Sequence, residues 1–126
     1  MIKKFALVSV LLASLTACKT TVPVRDFNNN LVPTTNQTLT QSDVAKAILK
    51  ACVQLGWQCQ KLESGKIAGQ LNIRSHQLMV DINYNAKTYD IKYKDSVNLK
   101  YNGKKIHRQY VNWVNNLIRH TNAELI

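Results

Sequence analysis

Residues 67–93 read IAGQLNIRSHQLMVDINYNAKTYDIKY, and their spacing decides the fold. Ile67, Gly69, Leu71 and Ile73 recur at every second position. Leu78, Val80, Ile82 and Tyr84 repeat the pattern, and Tyr89, Ile91 and Tyr93 follow. Side chains alternate across a strand, so apolar residues spaced by two with polar residues between describe a sheet with one buried face. The connections are short. Parallel strands need crossovers of about a dozen residues or more, so an antiparallel meander is predicted.

On the amino-terminal side, Trp57 to Leu62 reads as one more strand, with Trp57 and Cys59 on one face and Ser64-Gly65 as the turn that follows. A helix precedes it. Thr40 is its predicted N-cap, with Asp43 three residues on as in a capping box. Val44, Ala47, Ile48, Ala51, Cys52 and Leu55 recur at helical spacing, and Gly56 is the expected stop. On the carboxy-terminal side, Leu99 and Tyr101 form a short extended piece before the Asn102-Gly103 turn. A last helix is predicted from Ile106 to Leu125, lined by Tyr110, Trp113, Val114, Leu117, Ile118, Thr121 and Leu125. The expected fold is α+β: a four-stranded antiparallel meander with two helices packed on one face, order α-β-β-β-β-α, over residues 39–126.

Residues 1–17 have the layout of an export signal. Lys3 and Lys4 form a basic start, Phe5 to Leu12 an apolar core, and Ala13 to Ala17 a small-residue region. The apolar run is far short of the roughly 20 residues of a spanning helix. Residues 18–38 are rich in Thr and Asn and contain Pro23, Pro33 and Asn28-Asn29-Asn30. They read as a flexible linker. Val22, Val24, Phe27, Leu31 and Val32 are its only apolar residues apart from Cys18 and the prolines, and they could dock on the domain. The 126 residues carry 17 Lys and Arg against 7 Asp and Glu, a formal charge of +10. Such a balance suits anionic headgroups, acidic glycan or nucleic acid, and solubility accounts for it equally well.

Leu15-Thr16-Ala17-Cys18 resembles the lipobox of bacterial lipoproteins. The resemblance implies cleavage before Cys18 and acylation of that cysteine, which would anchor the mature chain in a membrane by several acyl chains. Lys19, in place of the aspartate that retains enteric-type lipoproteins at the inner membrane, implies the outer membrane, with the domain in the periplasm. A periplasmic address argues against nucleic acid as a partner. The domain is also similar to a family of small outer-membrane lipoproteins of Gram-negative bacteria. The residues that carry this are Gly56-Trp57, Leu71-Asn72-Ile73-Arg74, Val80-Asp81-Ile82, the run Tyr89 to Ser96, Asn98-Leu99-Lys100-Tyr101, Ile106-His107-Arg108, Tyr110 and Trp113. The chain departs from that family at Val111, where asparagine is common. The resemblance implies an address and no activity.

With Cys18 acylated, Cys52 and Cys59 are the remaining thiols. In an oxidising compartment they are expected to form a disulfide, the alternative being two buried free thiols. His76, His107 and His120 are scattered, and no metal site is assigned. No catalytic residue or cofactor is assigned either, since no nucleophile elbow, HExxH or phosphate-binding glycine loop occurs. Asp81 and Asp90 share the outward sheet face with Arg74, Lys92 and Lys94, a pattern that fits cross-strand ion pairs better than acid–base chemistry. The aromatic residues fall on the faces assigned to the core. Lys100, Lys104, Lys105, His107 and Arg108 form the densest basic cluster, and of these Lys100, Lys104, Lys105 and Arg108 are the candidate anion-binding residues. Three functions compete. One is a structural or protein-interaction module of the envelope. Another is a binding module for anionic envelope lipid or glycan through the basic turn. An envelope enzyme ranks behind both.

Overall fold

The computed structural model describes residues 20–34 and 37–126. The signal, Cys18 and Lys19 lie outside the described residues. The elements are β1 (Thr21–Pro23), β2 (Phe27–Leu31), α1 (Gln41–Leu55), β3 (Gln58–Lys61), β4 (Lys66–Ile73), β5 (His76–Tyr84), β6 (Thr88–Val97), β7 (Lys105–His107) and α2 (Gln109–Glu124).

The predicted first helix forms with its predicted ends. The Asp43 N–H donates to Thr40 Oγ1 at 3.2 Å, and the Thr40 N–H donates to Asp43 Oδ2 at 2.9 Å. The box satisfies two backbone donors that a helix end leaves free. Gly56 closes the helix in the left-handed region, φ 79°, and the Trp57 N–H reaches back to the Cys52 carbonyl at 2.8 Å. This reversal sends the chain into β3, with Trp57 buried.

Strands β3 to β6 make the expected antiparallel meander, but it is not the whole sheet. The order is β2-β6-β5-β4-β3, five strands, and β1 pairs with β7 in a second, two-stranded sheet. Residues 18–38 are therefore not a linker over their described part. Phe27 pairs with Ile91 and is buried in the core, and Asn30 pairs with Tyr89. Asn28 and Asn29 together oppose Asp90, so the strand carries a bulge. Asn29 takes the left-handed conformation the bulge requires, φ 57°, and its N–H donates to Asp90 Oδ1 at 2.7 Å. Asn30 Nδ2 donates to the carbonyls of Phe27 and Tyr89. The asparagine run that resembled linker composition is the chemistry of the bulge.

The last helix begins at Gln109 rather than Ile106, because Ile106 is taken by β7. It pairs with Val22 and is fully buried, and the His107 N–H donates to the Leu99 carbonyl at 2.7 Å. Leu99 is buried as well, outside any strand.

One core joins both helices to one sheet face. Val44, Ile48 and Ala51 of α1 and Tyr110, Val114 and Leu117 of α2 meet Ile67, Leu78, Val80, Ile82, Tyr89 and Ile91. A second bulge sits in β6. Val80 pairs with Tyr93 and Met79 with Asp95, which leaves Lys94 unpaired. The extra residue turns Ser96 to the inner face, where its hydroxyl meets that of Tyr93 at 2.7 Å. The Sγ atoms of Cys52 and Cys59 lie at disulfide distance, 2.10 Å. Gly69 faces them. A Cβ there would stand 3.0 Å from Val80 Cγ2 and 3.4 Å from Cys59 Sγ. An inward-facing glycine in mid-strand thus makes room for the sulfur pair.

Candidate anion-binding site

The basic run Lys100 to Arg108 is folded by its own turn chemistry. Asn102 Oδ1 accepts from the N–H groups of Lys104 and Lys105 at 3.0 and 2.7 Å, and Gly103 has φ 91°. This closes the predicted turn. The hairpin is then held from outside by β1. The Val24 N–H donates to the Lys104 carbonyl, and the Arg108 N–H donates to the Thr20 carbonyl, both at 2.9 Å.

The four predicted residues do not form one patch around one cavity. Lys104 and Lys105 are exposed at the turn. Lys100 and Arg108 sit further along, where their charges act on His107. Burial, together with the charges of Lys100, His76 and Arg108, holds the His107 imidazole below the usual histidine range. A cavity of about 410 Å³ opens here, lined by Ile73, Arg74, His76, Leu99, His107, Gln109 and Trp113. None of these is acidic.

Three elements position the cationic side chains. Arg74 and Ser75 connect β4 to β5, with Ile73 opposite His76. Arg74 takes φ 55° at the first central position of this turn, where glycine is usual. Asn98 and Lys100, in the loop after β6, also have positive φ, 57° and 55°. That loop crosses the β4–β5 turn. Asn98 Nδ2 donates to Ser75 Oγ at 2.8 Å, and His76 Nδ1 lies 2.7 Å from the Asn98 carbonyl. Because a carbonyl only accepts, His76 carries its proton on Nδ1. His107 has the opposite arrangement. Its Nδ1 accepts from the Gln109 N–H at 3.1 Å, which puts the proton on Nε2 when the ring is neutral. Trp113, half-buried on the first turns of α2, stands 6.3 Å from the His76 ring, centroid to centroid. Arg108 is the N-cap of α2 and gives it no side-chain cap. The positive end of the helix is therefore not offset by its own N-cap side chain.

Arg74, His76, His107 and Trp113 were not among the expected site residues. The histidines read as turn and helix-start residues, Arg74 as a surface cation and Trp113 as core. The hint available in sequence was the place of His107 inside the basic run.

The remaining candidates have structural partners. Asp81 lies opposite Lys92 and reaches Lys94 Nζ at 3.7 Å, while Asp90 lies opposite Asn83 and accepts from Asn29. The two carboxylates are offset along the strands and share no partner. His120 Nδ1 is 3.0 Å from Gln54 Oε1 and straps α2 to α1. Val111 is partly buried against the core, which suits valine better than a polar residue. Among the described residues, no group of three His, Cys, Asp or Glu could hold a metal ion. Nor is any helix of the described residues long and apolar enough to cross a membrane. A comparison of the chain with protein-family models, curated proteins and solved structures finds no match.

Proposed function

We propose that the protein is an envelope module anchored in the outer membrane by acylated Cys18, with its domain in the periplasm, that binds anionic lipid headgroups or glycan through the basic end of the domain. The observation that carries this reading is the hydrogen bond from the Arg108 N–H to the Thr20 carbonyl. Thr20 is two residues from Cys18, a contour of at most roughly 7 Å. An anchor at Cys18 would hold Arg108 beside the headgroups, and it would bring Lys104 and Lys105, which lie further along β1 beside Val24 and Pro23, to them when β1 lies along the surface. A flexible tether of 20 residues would allow the domain to stand well away. Each lysine or arginine near an anionic surface contributes about 1 kcal/mol, and only within about 8 Å at physiological salt. Anchoring keeps Arg108 in that range and raises the effective concentration of the hairpin lysines at the surface.

The test uses the full processed protein in proteoliposomes. Amine acylation of Lys100, Lys104 and Lys105 is read by mass spectrometry on neutral vesicles and on vesicles containing phosphatidylglycerol. Protection on the anionic vesicles at low salt, lost at high salt, is the expected result. Equal labelling on both would overturn the reading, and so would a Cys18→Ser variant that is still processed and retained on membranes.

A structural or protein-interaction role is the second reading. It is favoured by the uncovered sheet face, where Gln58, Gln60, Gln70, Met79 and Lys94 line a shallow depression of about 280 Å³ beside the edge strand β3.

A further inference from the structure

We propose that the cavity at the start of α2 is a binding site for a phosphomonoester group, carried by a lipid that ends in a monoester phosphate or by a free phosphorylated sugar. The proposal deepens the anionic-surface reading and rests on it only for the source of the ligand.

The cavity, about 410 Å³, has the size of a small-molecule site and would hold a phosphate with part of its carrier. Its lining is one-sided in charge, with Arg74, His76 and His107 and no carboxylate. The two imidazoles use Nδ1 for fixed structural bonds, to the Asn98 carbonyl and from the Gln109 N–H. Among the described residues, Nε2 of neither ring has a hydrogen-bond partner, which leaves both for a ligand. On His107 that atom bears the proton and donates; on neutral His76 it accepts, and can take the hydroxyl of a singly protonated phosphate. An ion that holds three acceptor oxygens and one exchangeable proton near neutral pH meets this set, whereas a carboxylate in its ordinary ionised form offers no proton to His76. Arg74 adds a planar fork that matches two phosphate oxygens. Half-buried Trp113 supplies an apolar wall for the carrier.

The backbone supports the same conclusion. Arg74 and Lys100 both hold positive φ, 55° each, in places where glycine or asparagine would be relaxed. Arg74 lines the cavity and Lys100 follows its lining residue Leu99; a strained residue with a long cationic side chain at a cavity is expected where the side chain serves a ligand rather than the fold.

The experiment titrates the full processed protein in neutral detergent and follows Trp113 fluorescence. The probes are inorganic phosphate, glucose 6-phosphate and a short-chain phosphatidic acid. Trp113→Phe identifies the signal, since Trp57 is buried. A saturable change with all three probes, tightest with one carrier, is expected, and the order of affinities assigns the source. Arg74→Gly should weaken phosphate at least tenfold while raising the urea midpoint, because glycine relaxes the turn. A purely structural arginine would give the higher midpoint with unchanged binding. Lys104→Glu with Lys105→Glu should remove vesicle contact and leave phosphate affinity within twofold. Failure of the surface reading and failure of the pocket are thereby separate results. No saturable response to any probe at low salt, or equal affinity in Arg74→Gly, would overturn the proposal.

Discussion

The Tyr110 hydroxyl donates to the Arg25 carbonyl at 2.6 Å, across 85 residues of chain. It ties the entry strands to the second helix from inside the core. Around it, the Tyr110 ring meets Phe27 and Tyr93 edge to face, each at 5.8 Å between centroids, and the Arg25 guanidinium lies 4.1 Å above Phe27. Burial pushes the Tyr110 hydroxyl above the usual tyrosine range, so it stays a donor at any physiological pH. Tyr110→Phe leaves the carbonyl without this partner. We expect a loss of about 1–3 kcal/mol in urea unfolding, with faster amide exchange over residues 21–31 than elsewhere. Unchanged exchange in that segment would show that the strands are held by other contacts.

The β2 bulge makes a separate prediction at Asn29. Its φ of 57° costs an ordinary L residue about 1–2 kcal/mol, and asparagine is among the residues that tolerate it. Asn29→Gly should therefore leave the midpoint nearly unchanged, whereas Asn29→Ala should lower stability by about 1 kcal/mol. Equal midpoints for the two variants would mean that the bulge rearranges.

Cys52 and Cys59, seven residues apart with Cα atoms 6.1 Å from one another, are expected to be bridged in protein taken from an oxidising compartment. Thiol titration after denaturation without reductant should find neither sulfhydryl. Reduction should then cost about 2.5 kcal/mol on chain-entropy grounds for so short a loop. Two titratable thiols would refute the bridge and leave a pair of buried cysteines facing Gly69.

His107 gives a pH dependence. Its folded pKa lies below the ordinary 6.5 because of burial and the charges of Lys100, His76 and Arg108, with Arg74 on the same cavity. Below about pH 6.5 the unfolded chain takes up a proton that the folded chain refuses, so stability falls as pH drops, and the loss is complete once the pH is below the folded pKa. His107→Asn keeps an acceptor at the Nδ1 position for the Gln109 N–H and removes the titration. The variant should lose less stability than the parent between pH 7 and pH 5, measured by urea unfolding. Bound phosphate should oppose the effect in the parent, since an anion favours the charged imidazole.

Much of this fold is written locally. The alternation over residues 67–93 determined β4, β5 and most of β6 and the face each presents, since side chains on a strand have a period of two and the core accepts one set. Thr40, Asp43 and Gly56 determined where α1 starts and stops, because capping and the left-handed stop are made by residues within the helix and its ends. Asn102-Gly103 determined a turn for the same local reason. What the tertiary structure alone decided involves partners far apart in the chain. Phe27-Asn28-Asn29-Asn30-Leu31 has poor strand propensity and becomes a strand only because β6 offers an edge, Asp90 accepts from the bulge and Tyr110 holds Arg25. Ile106 follows the helical spacing of α2 yet joins β7, because Val22 is there to pair with it. Arg74 in the β4–β5 turn and His76 on β5 are far in sequence from His107 on β7 and Trp113 on α2, and no spacing relates the two pairs. They meet because the loop bearing Asn98 crosses the β4–β5 turn beside the start of α2, an arrangement set by packing and long-range hydrogen bonds.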